Sequence, residues 1–452
     1  MIFATKLTKA VALCAVMLSP VPAWAETLGE ALATAYRHSG LLQQNRALLR
    51  AADEDVAAAT AALRPVVSYS MTANYSSLTQ STTSNIGLSA SLVLFDAGSS
   101  ALRKEIAKQN VLSLREALRG VEQNVLLNAV SAYTAVQRDA AIVSLRENNV
   151  RLIEQELQAA NDRFEVGEIT RTDVAFAEAR LASARSALAS AKGLLSISKE
   201  QYRVAVGSYP GALSAVPALP ATAASLANAR AIARQRHPDM AQAQYSVKVS
   251  DLNVELAKAA MKPVLSGNAN AGVAQGGNDS ASIGLTLSGP LYRGGALASA
   301  YRKAIAQKDA SRAGLHITRQ AVDQAVGTAW FQLEVATASL KATEEQIRAS
   351  RVAFRGVRQE ANVGSRTTLD VLNAEQELLD AEAARISAQT DRYVAVYNLL
   401  ASMGLLNVQH LKLGVATYDP MAYYNAVKSA PLTAVSPQGK QLDKVLKSLG
   451  KK

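Results

Sequence analysis

The sequence predicts a mixed α and β fold made of two tandem structural repeats, in which long antiparallel coiled-coil helices carry paired β-hairpins. Three observations predict it. Short motifs recur in the same order at an offset near 197 residues, two long stretches lack proline, and four segments alternate apolar and polar residues without charge. The composition agrees. Of 452 residues, 49% are apolar but only 5% aromatic, which suits packed helices better than an aromatic-lined catalytic core.

The first 25 residues read as a secretory signal. Lys6 and Lys9 give the positive start, Ala10 to Leu18 form an apolar run too short to span a bilayer, and Ala23-Trp24-Ala25 supplies a cleavage pattern. The expected mature chain begins at Glu26, which takes the formal charge from +11 to +9. Cys14 as a lipidation cysteine is the competing reading, but Leu13 precedes it where a small residue is needed. With Cys14 the only cysteine, and His38, His237, His316 and His410 scattered, a disulfide scaffold and a Cys/His zinc site are both excluded. No metal and no cofactor are expected.

The duplication organises the rest. Leu63-Arg64-Pro65 recurs as Met261-Lys262-Pro263, and Leu94-Phe95-Asp96-Ala97-Gly98 recurs as Leu291-Tyr292-Arg293-Gly294-Gly295. Val166-Gly167, Asp173-Val174 and Ala177-Glu178 recur as Val363-Gly364, Asp370-Val371 and Ala374-Glu375. Each copy reads as helix, strand, loop, strand, very long helix, sharp turn, helix. The expected divisions are a signal over 1–25, a first repeat over 26–215, a second over 216–410, and a basic flexible tail over 411–452. Hairpins are expected at about 66–95 and 264–291, and tip turns at about 166–172 and 363–369. The proline-rich span from Pro210 to Pro220 links the copies.

Residues 66 to 209 and 291 to 419 contain no proline, the commonest helix breaker. A helix from about Ser99 to about Phe164 would be on the order of 100 Å long, beyond any compact domain. After the first turn, Val174, Ala177, Leu181, Ala184, Leu188, Ala191 and Leu195 form an a/d seam. In the second copy, Leu372, Leu379, Ile386, Tyr393 and Leu400 make one heptad series and Ala374, Ala381, Ala388 and Ala395 another. One seam would serve an isolated two-helix coiled coil. Two seams on one helix suit a wall with a neighbour on each side.

The strands bear on compartment. Val67, Tyr69, Met71, Ala73 and Tyr75 alternate with Ser and Thr positions and Asn74, and Ile86 to Leu94, Leu265 to Val273 and Ile283 to Leu287 alternate likewise. From Val66 to Phe95 there is no charge, and from Val264 to Tyr292 only Asp279, placed in the expected loop. A soluble hairpin would carry Lys or Glu on its wet face; an apolar face opposite a small polar one matches a transmembrane β-barrel with a watery lumen. Four strands cannot close such a barrel, and lipid does not tolerate open edges. Oligomerisation follows, and a trimer would supply twelve strands. The competing reading is the edge of a soluble sandwich.

On the duplication, the paired hairpins and the Val-Gly turns followed by Asp-Val, the chain resembles TolC-type outer-membrane efflux proteins over nearly all of residues 26 to 410. The resemblance implies a homotrimer whose barrel sits in outer-membrane lipid and continues into a helical tunnel across the periplasm. It implies a periplasmic adaptor (membrane fusion) protein and an inner-membrane transporter of ABC or RND type as partners. The absence of a lipidation site resembles the branch serving protein secretion and efflux. Type I secretion and multidrug efflux are then the expected cargo routes.

The resemblance also assigns residues. Val166, Gly167, Glu168, Val363, Gly364 and Ser365 would be the tips that meet the adaptor. Asp370 would face the tunnel axis, so that a trimer presents a ring of carboxylates; the family's second acid is Asn373 here. Arg366 would join Asp173 and Thr172 and hold the entrance closed, while the family's tyrosine partner is Ala361 here. Catalysis finds no footing: no Gly-x-Ser-x-Gly, phosphate-binding glycine loop or His-Glu-x-x-His occurs, so no enzyme is expected. Glu344-Glu345 and Glu375 with Glu377 read as solvated helix faces. The basic excess is densest from Lys428 through Lys440, Lys444, Lys447, Lys451 and Lys452, without interleaved aromatics, so no nucleic acid is expected. Two other functions remain open: a structural periplasmic coiled-coil protein without channel activity, and a closed receptor-like barrel.

Overall fold

Each copy begins with a broken helix, passes through a β-hairpin, and then runs 67 residues without interruption before turning back. The first copy comprises α1 (Leu28–His38), α2 (Gly40–Ala61), β1 (Val66–Ser76), β2 (Ser81–Phe95), α3 (Ser99–Glu165) and α4 (Arg171–Val206). The second comprises α5 (Leu226–Arg236), α6 (Pro238–Ala259), β3 (Val264–Ala274), β4 (Asn278–Ser288), α7 (Ala296–Asn362) and α8 (Thr368–Ser402). The computed structural model describes residues 25–431 and 437–450. Apart from Ala25, the expected signal lies outside the described residues, and so do Lys451 and Lys452.

The single helix expected ahead of each hairpin is in fact two. Ser39 leaves helical geometry, and its hydroxyl accepts the Leu42 N–H to start α2. His237 does the same before Pro238, whose fixed φ suits the first helical position. At 1.5 Å per residue, α3 and α7 each extend about 100 Å. No described helix is apolar enough to cross a membrane.

The four strands form one antiparallel sheet in the order β1-β2-β3-β4. Tyr69 pairs with Leu88, Leu88 with Ala271 and Ala269 with Ile283, which places the apolar alternates on one face. That face is bare, with Tyr69 86% and Ile283 90% exposed. Ser68, Ser89 and Asn270 line the other face, where the Ser68 and Ser89 hydroxyls lie 2.9 Å apart. β1 and β4 are unpaired edges. The register shifts between Val93 and Phe95, a bulge at the base of β2. Asp279 lies in β4 opposite Val273, not in the loop. Gly276 and Gly277 take positive φ and turn the chain so tightly that pairing continues to Ala274 and Asn278.

The main core lies where the long helices meet α1, α5 and the interrepeat link. Leu28, Leu32, Tyr133, Tyr202, Leu399, Leu400, Met403 and Leu406 are fully buried there. The Tyr133 hydroxyl donates to the carbonyl of Ser214 at 2.7 Å, and Tyr393 donates to that of Pro217, so two tyrosines fasten the link. Both seams of α8 are used: it packs on α7 and on α3, burying Leu372, Leu379, Tyr393 and Leu400 together with Ala381, Ala388 and Ala395.

The tail departs from expectation. Residues 411 onward carry α9 (Pro420–Val427) and α10 (Pro437–Gly450), and α9 packs on α2 and α10. Tyr423, Ala426, Val427 and Leu442 are buried against Ala57, and Arg64 donates to the carbonyls of Ser429 and Ala430. Arg46 stacks over Tyr36 and Tyr418. Lysines spaced on one side of a helix left an apolar face that the lysine count concealed.

Candidate functional site

The two reversals between long helices follow one local plan. At Gly167 the φ of +78° and at Gly364 that of +77° lie in the left-handed region that side chains other than glycine resist. Glu168 N–H then donates to the Arg163 carbonyl at 2.9 Å, and Ser365 N–H to that of Glu360 at 3.0 Å, closing each preceding helix. A capping box opens each returning helix. Asp173 N–H donates to the Thr170 hydroxyl oxygen at 3.3 Å while Thr170 N–H donates back to the Asp173 carboxylate at 3.0 Å. Thr367 and Asp370 repeat this at 3.2 and 3.0 Å. Val166, Gly167, Glu168, Val363, Gly364 and Ser365 all stand exposed at the tips.

The structure distributes the expected gate residues differently from the resemblance. Arg366 Nε donates to a Glu360 carboxylate oxygen at 2.9 Å within its own tip. Asp173 is engaged by Thr170, and Thr172 stands exposed at the second position of α4. The bond of Arg366 to Asp173 and Thr172 is therefore not made within one chain, where Arg366 and Asp173 each have a partner in their own turn. Asp370 is held by Thr367, whose N–H and hydroxyl keep its carboxyl below the ordinary range. Asn373 does join the two hairpins: Arg180 of α4 donates to its side-chain oxygen at 2.8 Å.

Several residues near the tips escaped the sequence reading. Glu360 is one, and Arg180 another. Arg358 of α7 pairs with Glu156 of α3 at 3.1 Å, a second tie between the copies. Glu375, expected on a solvated face, is only 7% exposed because α8 turns it toward α3, whereas Glu377 is exposed as expected. Its burial pushes its carboxyl above the ordinary value, and Glu156 adds to the push. One signal was available: Glu375 stands three residues after Leu372 and four before Leu379, at a seam position.

The sequence matches the family described as outer membrane efflux protein over residues 32–208 and 217–405, one match to each copy. It is 36% identical over 441 residues to the outer membrane efflux protein BepC of Brucella suis, covering 95% of this chain and 97% of the relative. It is 27% identical over 389 residues to the alkaline protease secretion protein AprF of Pseudomonas aeruginosa, covering 79% and 80%. Among solved structures, CusC superposes with a TM-score of 0.75 at 19% identity over 86% of this chain and 95% of that one. The outer membrane protein VceC of Vibrio cholerae superposes at 0.72 and 20% identity, over 83% and 96%. At such identities these two likenesses speak for the fold.

Proposed function

The chain belongs to the outer membrane efflux protein family, and from that premise we propose how its sheet, tunnel helices and tips divide the work of export. It is an export channel of the Gram-negative outer membrane that extends into the periplasm. The observation that carries the division of labour is a four-stranded sheet with two free edges, whose one charge is Asp279 at the loop end of β4, continuous with two helices of 67 residues.

An even number of antiparallel strands leaves β1 and β4 antiparallel to each other, so β4 of one chain can pair with β1 of the next. Three chains give twelve strands with no free edge, which is what lipid requires. The eleven residues of β1, β3 and β4 match the roughly 9–11 that cross a bilayer at a tilt, and the fifteen of β2 exceed it. The bare face of Tyr69, Met71, Ile283 and Leu285 meets lipid, and the Ser/Asn face lines the lumen. The helices of the three chains then form a tunnel across the periplasm.

Val166, Glu168, Val363 and Ser365 contact a periplasmic adaptor, and an inner-membrane transporter of ABC or RND type drives the cargo. Asp370 contributes a carboxylate from each chain at the constriction, where a ring of like charges attracts cations; Asn373 keeps the ring single. Arg366, tied to Glu360 in one chain, reaches Thr172 and Asp173 across the assembled entrance and biases it closed. An adaptor that binds the open form better releases it.

The test is isolation of the outer-membrane fraction followed by recording in planar bilayers. Heat-resistant trimers that carry single-channel current are expected. A soluble periplasmic coiled coil without current would refute the channel reading.

A further inference from the structure

Two buried polar side chains meet between the hairpins, above the second tip. Asn149 of α3 is 4% exposed and Glu375 of α8 is 7% exposed, and the Asn149 amide donates to the Glu375 carboxylate at 3.4 Å. Leu372 and Leu379, both buried, flank Glu375 along the seam, so a carboxylate occupies a place where an apolar side chain would pack.

Every neighbouring helix presents a charged group. α3 contributes Glu156, and α7 contributes Arg358, which pairs with it at 3.1 Å. α4 contributes Arg180, bound to Asn373 of α8 at 2.8 Å. Further along α3, Arg146 faces Asp380 of α8 at 3.6 Å. None of these cations reaches Glu375 itself; its one hydrogen-bond partner among the described residues is Asn149.

We propose that Glu375 is a protonation-controlled clasp between the two helical hairpins of each chain: protonated it holds α8 against α3, and ionised it favours the parted entrance. The proposal rests on the reading of the tips as the tunnel entrance. Asn149 suits the role because its amide donates to a carboxylate and, turned over, accepts from a carboxylic acid. The hydrogen bond thus survives protonation while the cost of a buried charge disappears.

The sign follows from burial. Burial first, and Glu156 second, raise the Glu375 carboxyl above its ordinary 4.5 in the packed state. Parted hairpins would return it to water and to that ordinary value. The packed form therefore binds the proton more tightly. Its advantage is complete below the ordinary value and fades as pH rises through the raised one. The matching residue of the first copy, Glu178, is exposed and offers no second clasp.

Nitroxide labels at Glu168→Cys and Ser365→Cys, one per tip, report the opening when labelled chains are diluted into unlabelled trimers. Pulsed electron paramagnetic resonance from about pH 4.5 to about pH 8 spans the ordinary and raised carboxyl range. The tip-to-tip distance is expected to lengthen with rising pH in the native chain. In Glu375→Gln, a neutral shape mimic of the protonated acid, it should stay short throughout. Arg358→Met leaves Glu156 unneutralised and should move the midpoint to higher pH. A native distance independent of pH, a Glu375→Gln variant that keeps the native response, or a midpoint that stays put or falls in Arg358→Met would overturn the clasp. Distance is read without conduction, so a protein whose tips respond but which carries no current would instead count against the channel reading.

Discussion

The tip of the first copy and the tip of the second share a backbone and differ in nearly everything else. Both turn on Val-Gly, and both reopen with a Thr-x-x-Asp capping box. Around the first turn the chain places Phe164, Ile169 and Phe176, and Ala160, Val174 and Ala177 close a small apolar cluster with Leu157 and Ile169. At the matched places around the second turn stand Ala361, Arg366 and Asn373. Glu178 is exposed whereas its counterpart Glu375 is buried. The difference has a simple origin: α8 lies against both α7 and α3, while α4 rests mainly on α3. Duplication supplied two like hairpins, and α8, packed on both α7 and α3, stands beside the more polar of the two tips.

The largest effect should come from the face that α8 alone buries. Leu372 is packed near the second tip, and its first-copy counterpart is already Ala175, which is exposed. Leu372→Ala should cost about 2–5 kcal/mol as a cavity in a helical core, read by denaturant unfolding of the assembled protein. A loss no larger than that of an exposed substitution would show that α8 is not sandwiched.

Next in size is the charge proposed for the constriction. On the proposed ring of one carboxylate per chain, Asp370→Ala should abolish most of the block by polyvalent cations in bilayer recordings. Asp173→Ala, at the matched turn, should leave that block in place. Equal losses in both variants would mean that the two turns line the pore alike. Charged substitutions at Ser365 should impair export while trimers still assemble, and unaffected export would remove that tip from the adaptor contact.

The smallest effect concerns what the tips share. Thr170→Ala and Thr367→Ala each delete one helix cap, worth about 1 kcal/mol, and should raise hydrogen exchange equally in the first turns of α4 and α8. Unequal exchange would show that one turn is held by more than its cap.

Much of this architecture was legible in the sequence because it rests on one-dimensional signals. Proline-free stretches give the 67-residue helices, period-two alternation gives the sheet, and Val-Gly followed by Asp-Val marks both reversals. What the sequence concealed depends on which faces meet. The folding of α9 onto α2 needs the location of Ala57 and Arg64, and the break at Ser39 rests on a single cap. Arg366 illustrates the limit of resemblance. Its nearest carboxylate in one chain is Glu360, six residues back, and a matched position in the family does not reveal that competitor. Glu375 was misjudged because a charged residue in a helix is usually solvated, although its spacing between Leu372 and Leu379 already marked a seam.

If Arg366 of the second tip, bonded to Thr172 and Asp173, holds the entrance closed as proposed, Ile169 at the matched place in the first copy should have no such role. Paired single-channel recordings of Arg366→Ser and of Ile169→Ala, the matched residue in the first copy, test it most directly. Arg366→Ser should raise conductance several-fold without lowering trimer yield, while Ile169→Ala should conduct like the native chain. Unchanged conductance in Arg366→Ser, or an equal rise in both, would contradict it.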